Sequence, residues 1–196
     1  ERNGLISALD RYVWEAACKV IRKWLNMGVV PLPLTVNCSR VNAHNIHICD
    51  ILKELLDKYA LPASLIQLEI TETAYMDDPV AMATAVINLQ EAGFHVLMDD
   101  FGSGYSSLNI LKDIAFDTLK LDMGFLEDSG NTSKGEVIFS SIVEMVKRLE
   151  IPVVAEGVET AHQVEFLKAI SCDFAQGYYY YRPLPADEFE KKILKI

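Results

Sequence analysis

Phe94-His95-Val96-Leu97-Met98-Asp99-Asp100-Phe101-Gly102-Ser103-Gly104-Tyr105-Ser106-Ser107-Leu108 is the stretch on which the fold turns. Phe94 to Met98 is an apolar run of strand length. Two adjacent carboxylates, Asp99 and Asp100, end it, and a loop punctuated by Gly102 and Gly104 follows. Barrels and open α/β sheets keep their active sites at the C-terminal ends of strands, so an Asp-Asp pair in this place reads as chemistry. Like charges side by side repel, and they are tolerated best in water or around cations. The two glycines permit backbone angles that other residues avoid; they suit a shaped site, and an ordinary tight loop as well.

The same pattern recurs on either side. Leu34-Thr35-Val36 reads as a strand ending at Asn37, and Leu65 to Ile70 as a strand carrying Glu69. Thr118-Leu119-Lys120-Leu121 carries Lys120, Val153-Val154-Ala155 ends at Glu156, and Phe174-Ala175 leads to Gln176. Helical segments separate them: Leu5 to Leu25, with an apolar stripe at Leu9, Val13, Ala16, Val20 and Trp24; Ile46 to Tyr59; and a helix from Asp78 and Pro79 to about Ala92. A short helix near Leu108 to Lys112, Ser133 to Leu149, a helix opened by a Thr160/Gln163 capping box, and Asp187 to Leu194 follow. Asn37, Glu69, Asp99, Lys120, Glu156 and Gln176 fall at intervals of 32, 30, 21, 36 and 20 residues, each about one βα unit. Six strands alternating with helices imply a parallel sheet. Six functional side chains at six strand ends are the layout of an α/β TIM-type (βα) barrel. The chain is nevertheless short: it has 196 residues, whereas an eight-stranded barrel takes about 250, and it opens on a helix. No linker or charge block divides it, so a single domain over 1–196 is expected.

Composition narrows the function. The net charge is −10 and the pI near 4.8, with no lysine- or arginine-rich run, which argues against polymeric DNA or RNA as a partner. A small phosphorylated ligand remains open if metal ions invert the local charge. No stretch approaches the roughly 20 apolar residues of a membrane helix. Cys18, Cys38, Cys49 and Cys172 have no CxxC spacing and read as buried free thiols of a reducing cytoplasm. His44 and His47 could share a helix face but form no zinc motif.

These residues also resemble a family. Leu5-Ile6 through Trp24, Val36-Asn37-Cys38-Ser39, Leu68-Glu69-Ile70-Thr71-Glu72, Asp99 through Leu108, Leu119-Lys120-Leu121-Asp122, Val153 through Thr160, and Gln176 through Pro183 match, in order, the blocks of the EAL domain, the bacterial cyclic di-GMP phosphodiesterase family. The Glu-Ala-Leu signature, whose glutamate is a metal ligand in the family, lies upstream of the helix on which this chain begins. The chain is therefore expected to be a barrel missing its first strand, open at an unpaired edge near Leu34 to Val36, where association is invited. Cys38 stands where the family usually has leucine, and Arg40 to Ala43 drifts from its pattern.

The resemblance implies two Mg²⁺ or Mn²⁺ ions, which oxygen ligands favour over zinc. A pair of metals neutralises a phosphodiester, activates water and holds it in line. Asn37, Glu69 and Asp99 would hold one ion, Asp99 would bridge, and Asp100 and Glu156 would serve the second. Lys120 would orient the attacking water and offset charge; the plainer alternative is a lysine paired with Asp122 at a barrel rim. Asp122, Gln176 and Arg182 would meet substrate. Glu72 would stabilise the Phe101 to Ser107 loop, although a helix N-terminal acid explains it as simply; Glu159 would assist the second metal indirectly, and a helix N-terminal acid explains it equally. Tyr178 to Tyr181 could stack on guanine, but strand and rim packing is the expectation for at least two of the four.

The implied activity is hydrolysis of cyclic di-GMP to linear pGpG in a cytoplasmic domain. The resemblance further implies a homodimer and a parent protein with sensor or GGDEF domains, membrane-anchored elsewhere in some relatives. The alternative is a catalytically silent EAL domain that binds cyclic di-GMP or a protein partner. An enolase-type lyase accounts for the strand-end acids alone, not for the ordered motifs.

Overall fold

The computed structural model describes residues 5–102, 111, 116–126 and 132–195. Ser103 to Ser107 of the glycine-rich loop, and all but Leu111 of the helix expected near Leu108 to Lys112, lie outside the described residues.

Six strands run in the hydrogen-bonding order β1-β2-β3-β4-β5-β6: β1 (Leu34–Asn37), β2 (Ile66–Thr71), β3 (His95–Phe101), β4 (Thr118–Asp122), β5 (Val153–Glu156) and β6 (Phe174–Ala175). Sequential order with helices between strands is the arrangement of a TIM-type barrel, here with six strands among the described residues against the eight of a closed barrel. The assigned registers, β1 with β2, β2 with β3 and β5 with β6, are parallel. The chain packs as two compact units, 1–119 and 120–196, with β4 straddling the boundary.

In the first unit, α1 (Leu5–Asn26) buries Asp10, Trp14, Cys18, Ile21 and Trp24. This corrects the expected stripe: Leu9 and Val13 are 55% and 40% exposed. The two indoles and an inward-facing carboxylate rotate the buried face by about one residue. A short α2 (Arg40–Ala43) and α3 (Ile48–Tyr59) follow. His44 ends α2 and His47 precedes α3, so the two histidines share no helix face. Arg22 caps α3 from outside, donating to the carbonyls of Tyr59 (2.7 Å) and Ala60.

Strand β2 passes directly into α4 (Glu72–Asp77), whose N-cap Thr71 accepts the Ala74 amide. In α5 (Pro79–Glu91), Asp78 accepts the Ala81 amide and proline holds the first position, as the sequence predicts. The sheet has two faces. Val36, Ile66, Leu68, Ile70, Val96 and Met98 are buried on one. Register places Thr35, Asn37, Gln67, Glu69, Thr71, His95, Leu97 and Asp99 on the other, since paired residues and residues two apart share a face.

In the second unit, α6 (Thr132–Arg148), α7 (Ala161–Ala169) and α8 (Ala186–Phe189) alternate with β5 and β6, and Glu190–Leu194 continues α8 as a π-helical turn. The capping box is present: Thr160 Oγ1 accepts the Gln163 amide, and Gln163 Oε1 accepts the Thr160 amide. Each unit also uses one strand-entry device. Asp117, just before β4, accepts the Val96 amide at 2.8 Å, and Asp173, just before β6, accepts the Val153 amide at 3.0 Å. All four cysteines are free; Cys18 and Cys38 are buried, Cys49 and Cys172 half-buried. Burial pushes the Cys18 thiol up to about 11 and the Cys38 thiol higher still, so neither is a nucleophile at neutral pH. No helix among the described residues is long and apolar enough to cross a membrane.

Candidate active site

The first unit gathers four of the predicted site residues at the C-terminal ends of adjacent strands. Asn37 and Glu69 are direct register partners across β1 and β2. Asp99 is the partner of Thr71, two residues beyond Glu69, so Asn37, Glu69 and Asp99 lie on one sheet face. Asp100 is exposed and takes a left-handed backbone (φ 55°), which aspartate tolerates better than most residues. Its amide donates to Asp99 Oδ1 at 3.0 Å. Strand β3 thus runs past Met98, where the apolar run ends, through both aspartates to Phe101.

Glu72 is 1% exposed, and its Oε2 accepts the Gly102 amide at 2.9 Å. It is at once the first residue of α4 and a ligand of the start of the glycine-rich loop.

The backbone at Asn37 is fixed from two directions. Trp14 Nε1 donates to the Asn37 carbonyl at 2.9 Å, and the Cys38 amide donates to the Glu69 carbonyl at 2.8 Å. One residue further, Asp10 Oδ2 accepts the Ser39 amide (2.8 Å) and Asn42 Nδ2 (2.7 Å). Sequence reasoning missed Asp10 and Trp14. The available signal was a carboxylate in line with Trp14 and Cys18 at helical spacing.

The second unit places Lys120 in the middle of β4, 4% exposed, with its Nζ 2.8 Å from Glu156 Oε1 at the end of β5. The rim pairing with Asp122 is not what forms: Asp122 Oδ1 accepts the Gly124 amide at 2.6 Å instead. Asp122 Oδ1 also lies 3.3 Å from where a Cβ on Gly157 would sit. With φ +72° at Gly157, the loop after Glu156 approaches that carboxylate only as glycine.

Gln176 continues β6, its amide donating to the Ala155 carbonyl at 2.8 Å and its carbonyl accepting from the Val158 amide at 3.1 Å. Tyr178 to Tyr180 form a turn, Tyr181 follows it, and the four are each 46–60% exposed, so none of them lies in a strand, as was expected for at least two. Tyr179 donates to the Val158 carbonyl and Tyr180 to that of Gly177, which curls the chain out of the sheet. Gln176, Tyr178, Tyr181, Arg182, Phe189 and Ile193 are among the residues lining a cavity of about 390 Å³. The Arg182 guanidinium lies 4.6 Å from the Tyr178 ring centroid, a cation–π contact.

These side chains are carboxylates and an amide, oxygen donors that suit hard divalent cations better than zinc. In kind they fit such ions. Among the described residues, no three His, Cys, Asp or Glu side chains converge into a finished metal cluster.

The chain is similar to known proteins over its whole length. The family model described as "EAL domain" matches residues 1–183. The signalling protein YkoW of Bacillus subtilis is 35% identical over 195 residues, covering 100% of this chain and 24% of the relative. The cyclic di-GMP phosphodiesterase NbdA of Pseudomonas aeruginosa is 36% identical over 191 residues, covering 97% of this chain and 24% of the relative. A solved structure titled "PaMucR Phosphodiesterase, c-di-GMP complex" superposes with a TM-score of 0.89 at 35% identity, covering 96% of this chain and 76% of that one. The chain thus spans about a quarter of the length of these two curated relatives.

Proposed function

Because this chain belongs to the EAL domain family, we propose that it hydrolyses cyclic di-GMP to linear pGpG as the phosphodiesterase part of a longer signalling protein. The observation that carries the reading is the single polar sheet face shared by Asn37, Glu69 and Asp99 at the C-terminal strand ends.

Asn37, Glu69, Asp99, Asp100 and Glu156 are the proposed ligands of two Mg²⁺ or Mn²⁺ ions. When bound, such ions neutralise phosphate charge and lower the pKa of water. The protein's own contribution is positional. Lys120 is withdrawn from water on an apolar strand, so its ammonium holds one orientation against Glu156 and is the candidate to orient water and offset phosphoryl charge. Arg182 and Gln176 offer a guanidinium for phosphate and an amide for a base edge. The tyrosine faces beside them suit guanine stacking. Asp122 is held rigid by the Gly124 amide and serves on the substrate side. Glu72 holds the glycine-rich loop through Gly102. The domain acts as one EAL-type unit and as a homodimer, on the cytoplasmic side, with sensor or GGDEF segments elsewhere in the parent protein.

The test is turnover of cyclic di-GMP with Mg²⁺ or Mn²⁺, on this chain and on the longest natural chain that contains it, with and without chelator. Metal-dependent appearance of pGpG in the longer chain is the expected result. Tight binding of cyclic di-GMP with no turnover in either chain would make the domain a receptor and remove the roles given to Lys120 and Glu156.

A further inference from the structure

We infer that helix α1 is the support of the Asn37 ligand loop, with Asp10 and Trp14 as its positioning residues. The inference rests on the proposed role of Asn37 as a metal ligand.

Strand β1 stands at one end of the hydrogen-bonding order, so its neighbour on one side is β2 and the sheet supplies no second one among the described residues. Beyond its pairing with β2, the backbone at Asn37 is held by α1. Trp14, 1% exposed, donates its indole N–H to the carbonyl of Asn37 itself. Asp10, 7% exposed, takes the Ser39 amide and the Asn42 side chain on one oxygen. Asn42, 1% exposed, is held in turn by Ser7 Oγ at 2.7 Å. Ser39 sits at the N-cap of α2, yet its hydroxyl makes no capping bond and is buried without a partner among the described residues. The tie at this turn therefore comes from α1.

A buried carboxylate is retained where its hydrogen bonds offset its desolvation. Here both bonds go to the segment that follows Asn37, not to the helix that carries the aspartate. Loss of such outer supports lowers metal affinity by about 10–100-fold in known sites.

The experiment measures Mn²⁺ dissociation directly, from the electron paramagnetic resonance signal of free Mn²⁺, in the full natural chain without substrate. Asn37→Ala sets the scale. Trp14→Phe keeps an aromatic ring and removes the N–H. Asp10→Ala removes the oxygen that accepts both bonds, and Asp10→Asn keeps one carbonyl oxygen able to take both. Arg22→Ala, which loosens the α3 cap away from Asn37, reports generic destabilisation. Expected are about tenfold weaker Mn²⁺ binding in Trp14→Phe and Asp10→Ala, partial rescue in Asp10→Asn, and unchanged affinity in Arg22→Ala despite a lower melting temperature. If Asp10→Ala fails to fold, Trp14→Phe and Asp10→Asn carry the comparison. The inference is overturned if these variants weaken Mn²⁺ no more than Arg22→Ala while Asn37→Ala weakens it strongly. If Asn37→Ala leaves the affinity unchanged, the ligand role of Asn37 falls, and this inference with it.

Discussion

Lys120 and Glu156 form an ion pair of 2.8 Å in which the lysine side chain keeps 5% of its surface and the glutamate 19%. Desolvation of such a pair consumes much of its Coulombic gain, so its net contribution to stability is small. Removing one partner is a different matter, because it takes a counter-charge from a group held away from water. Glu156→Ala, studied in chelator, is expected to cost about 3 kcal/mol, the lower end of the range for broken buried pairs because Glu156 is not fully enclosed. Lys120→Met combined with Glu156→Leu is expected to recover most of that loss while abolishing turnover. Urea unfolding midpoints and pGpG formation check the two halves of the prediction. Equal instability of the single and double variants would mean that the pair itself, and not the counter-charge lost to Lys120, matters.

A second charge cluster sets an acid limit. Glu15 accepts from Lys58 Nζ (2.8 Å) and Tyr59 OH (2.6 Å), with Lys19 at 3.4 Å. The hydrogen bond from Lys58, then that from Tyr59, lowers its pKa from the usual 4.5 to about 2. A carboxylate depressed by folding stabilises above its unfolded pKa, and that contribution is lost as pH falls through the folded value. The α1–α3 contact should therefore weaken between about pH 4.5 and 2. Glu15→Gln is expected to flatten the fall in melting temperature across that window, and high salt to mimic part of the effect, since the cluster is partly exposed. A melting profile of Glu15→Gln parallel to wild type down to pH 2 would contradict this.

The sheet was legible because each strand is a short apolar run that ends on or carries a polar residue, from Asn37 to Gln176, and the spacing of those residues is that of βα units. What was not legible depends on partners far away in sequence. Asp10 reads as solvent-facing because nothing near it shows that the Ser39 amide, 29 residues on, points at it. For Lys120 the sequence offered only Asp122, two residues away on the same strand, as the alternative to a role at the phosphate; the ion pair with Glu156 lies 36 residues on. Helix α4 has six residues, too few for periodicity to reveal; a hold of Glu72 on the loop was implied by the resemblance alone, and the Gly102 amide as the group it accepts from emerges from the fold. The tyrosine run has strand composition but turns, because its amides go to Val158 and Gly177 carbonyls instead of a neighbouring strand.

Glu72 offers a local test of how the glycine-rich loop begins. Its carboxylate takes the Gly102 amide, and Gly102 itself has φ +98°. Glu72→Ala leaves that N–H without this acceptor and is expected to cost about 1–3 kcal/mol. Glu72→Gln keeps an oxygen in place and should cost less. Hydrogen exchange of the Gly102 amide is the sharper measurement: it should accelerate markedly in the alanine variant and little in the glutamine one. Unchanged protection in Glu72→Ala would show that another group holds this amide.

Gly177 is the point at which the chain leaves β6, and its constraint is steric. A Cβ there would collide with the Val158 amide nitrogen and carbonyl oxygen and lie 2.7 Å from the carbonyl carbon, all of them backbone atoms with no rotamer to give way. The same Val158 groups bond to the Gln176 carbonyl and the Tyr179 amide, so the collision cannot be relieved without breaking the turn. Gly177→Ala is expected to cost about 3 kcal/mol, at the upper end of typical overpacking, and to displace Gln176, Tyr178 and Arg182 together. Unfolding midpoints should fall, and cyclic di-GMP affinity should fall even at temperatures where the variant remains folded. By contrast, Tyr180→Phe, which keeps the ring and leaves the Tyr180 amide bonded to Gly177, should change neither. If Gly177→Ala melts like wild type and binds cyclic di-GMP equally well, the close approach to Val158 does not constrain this turn.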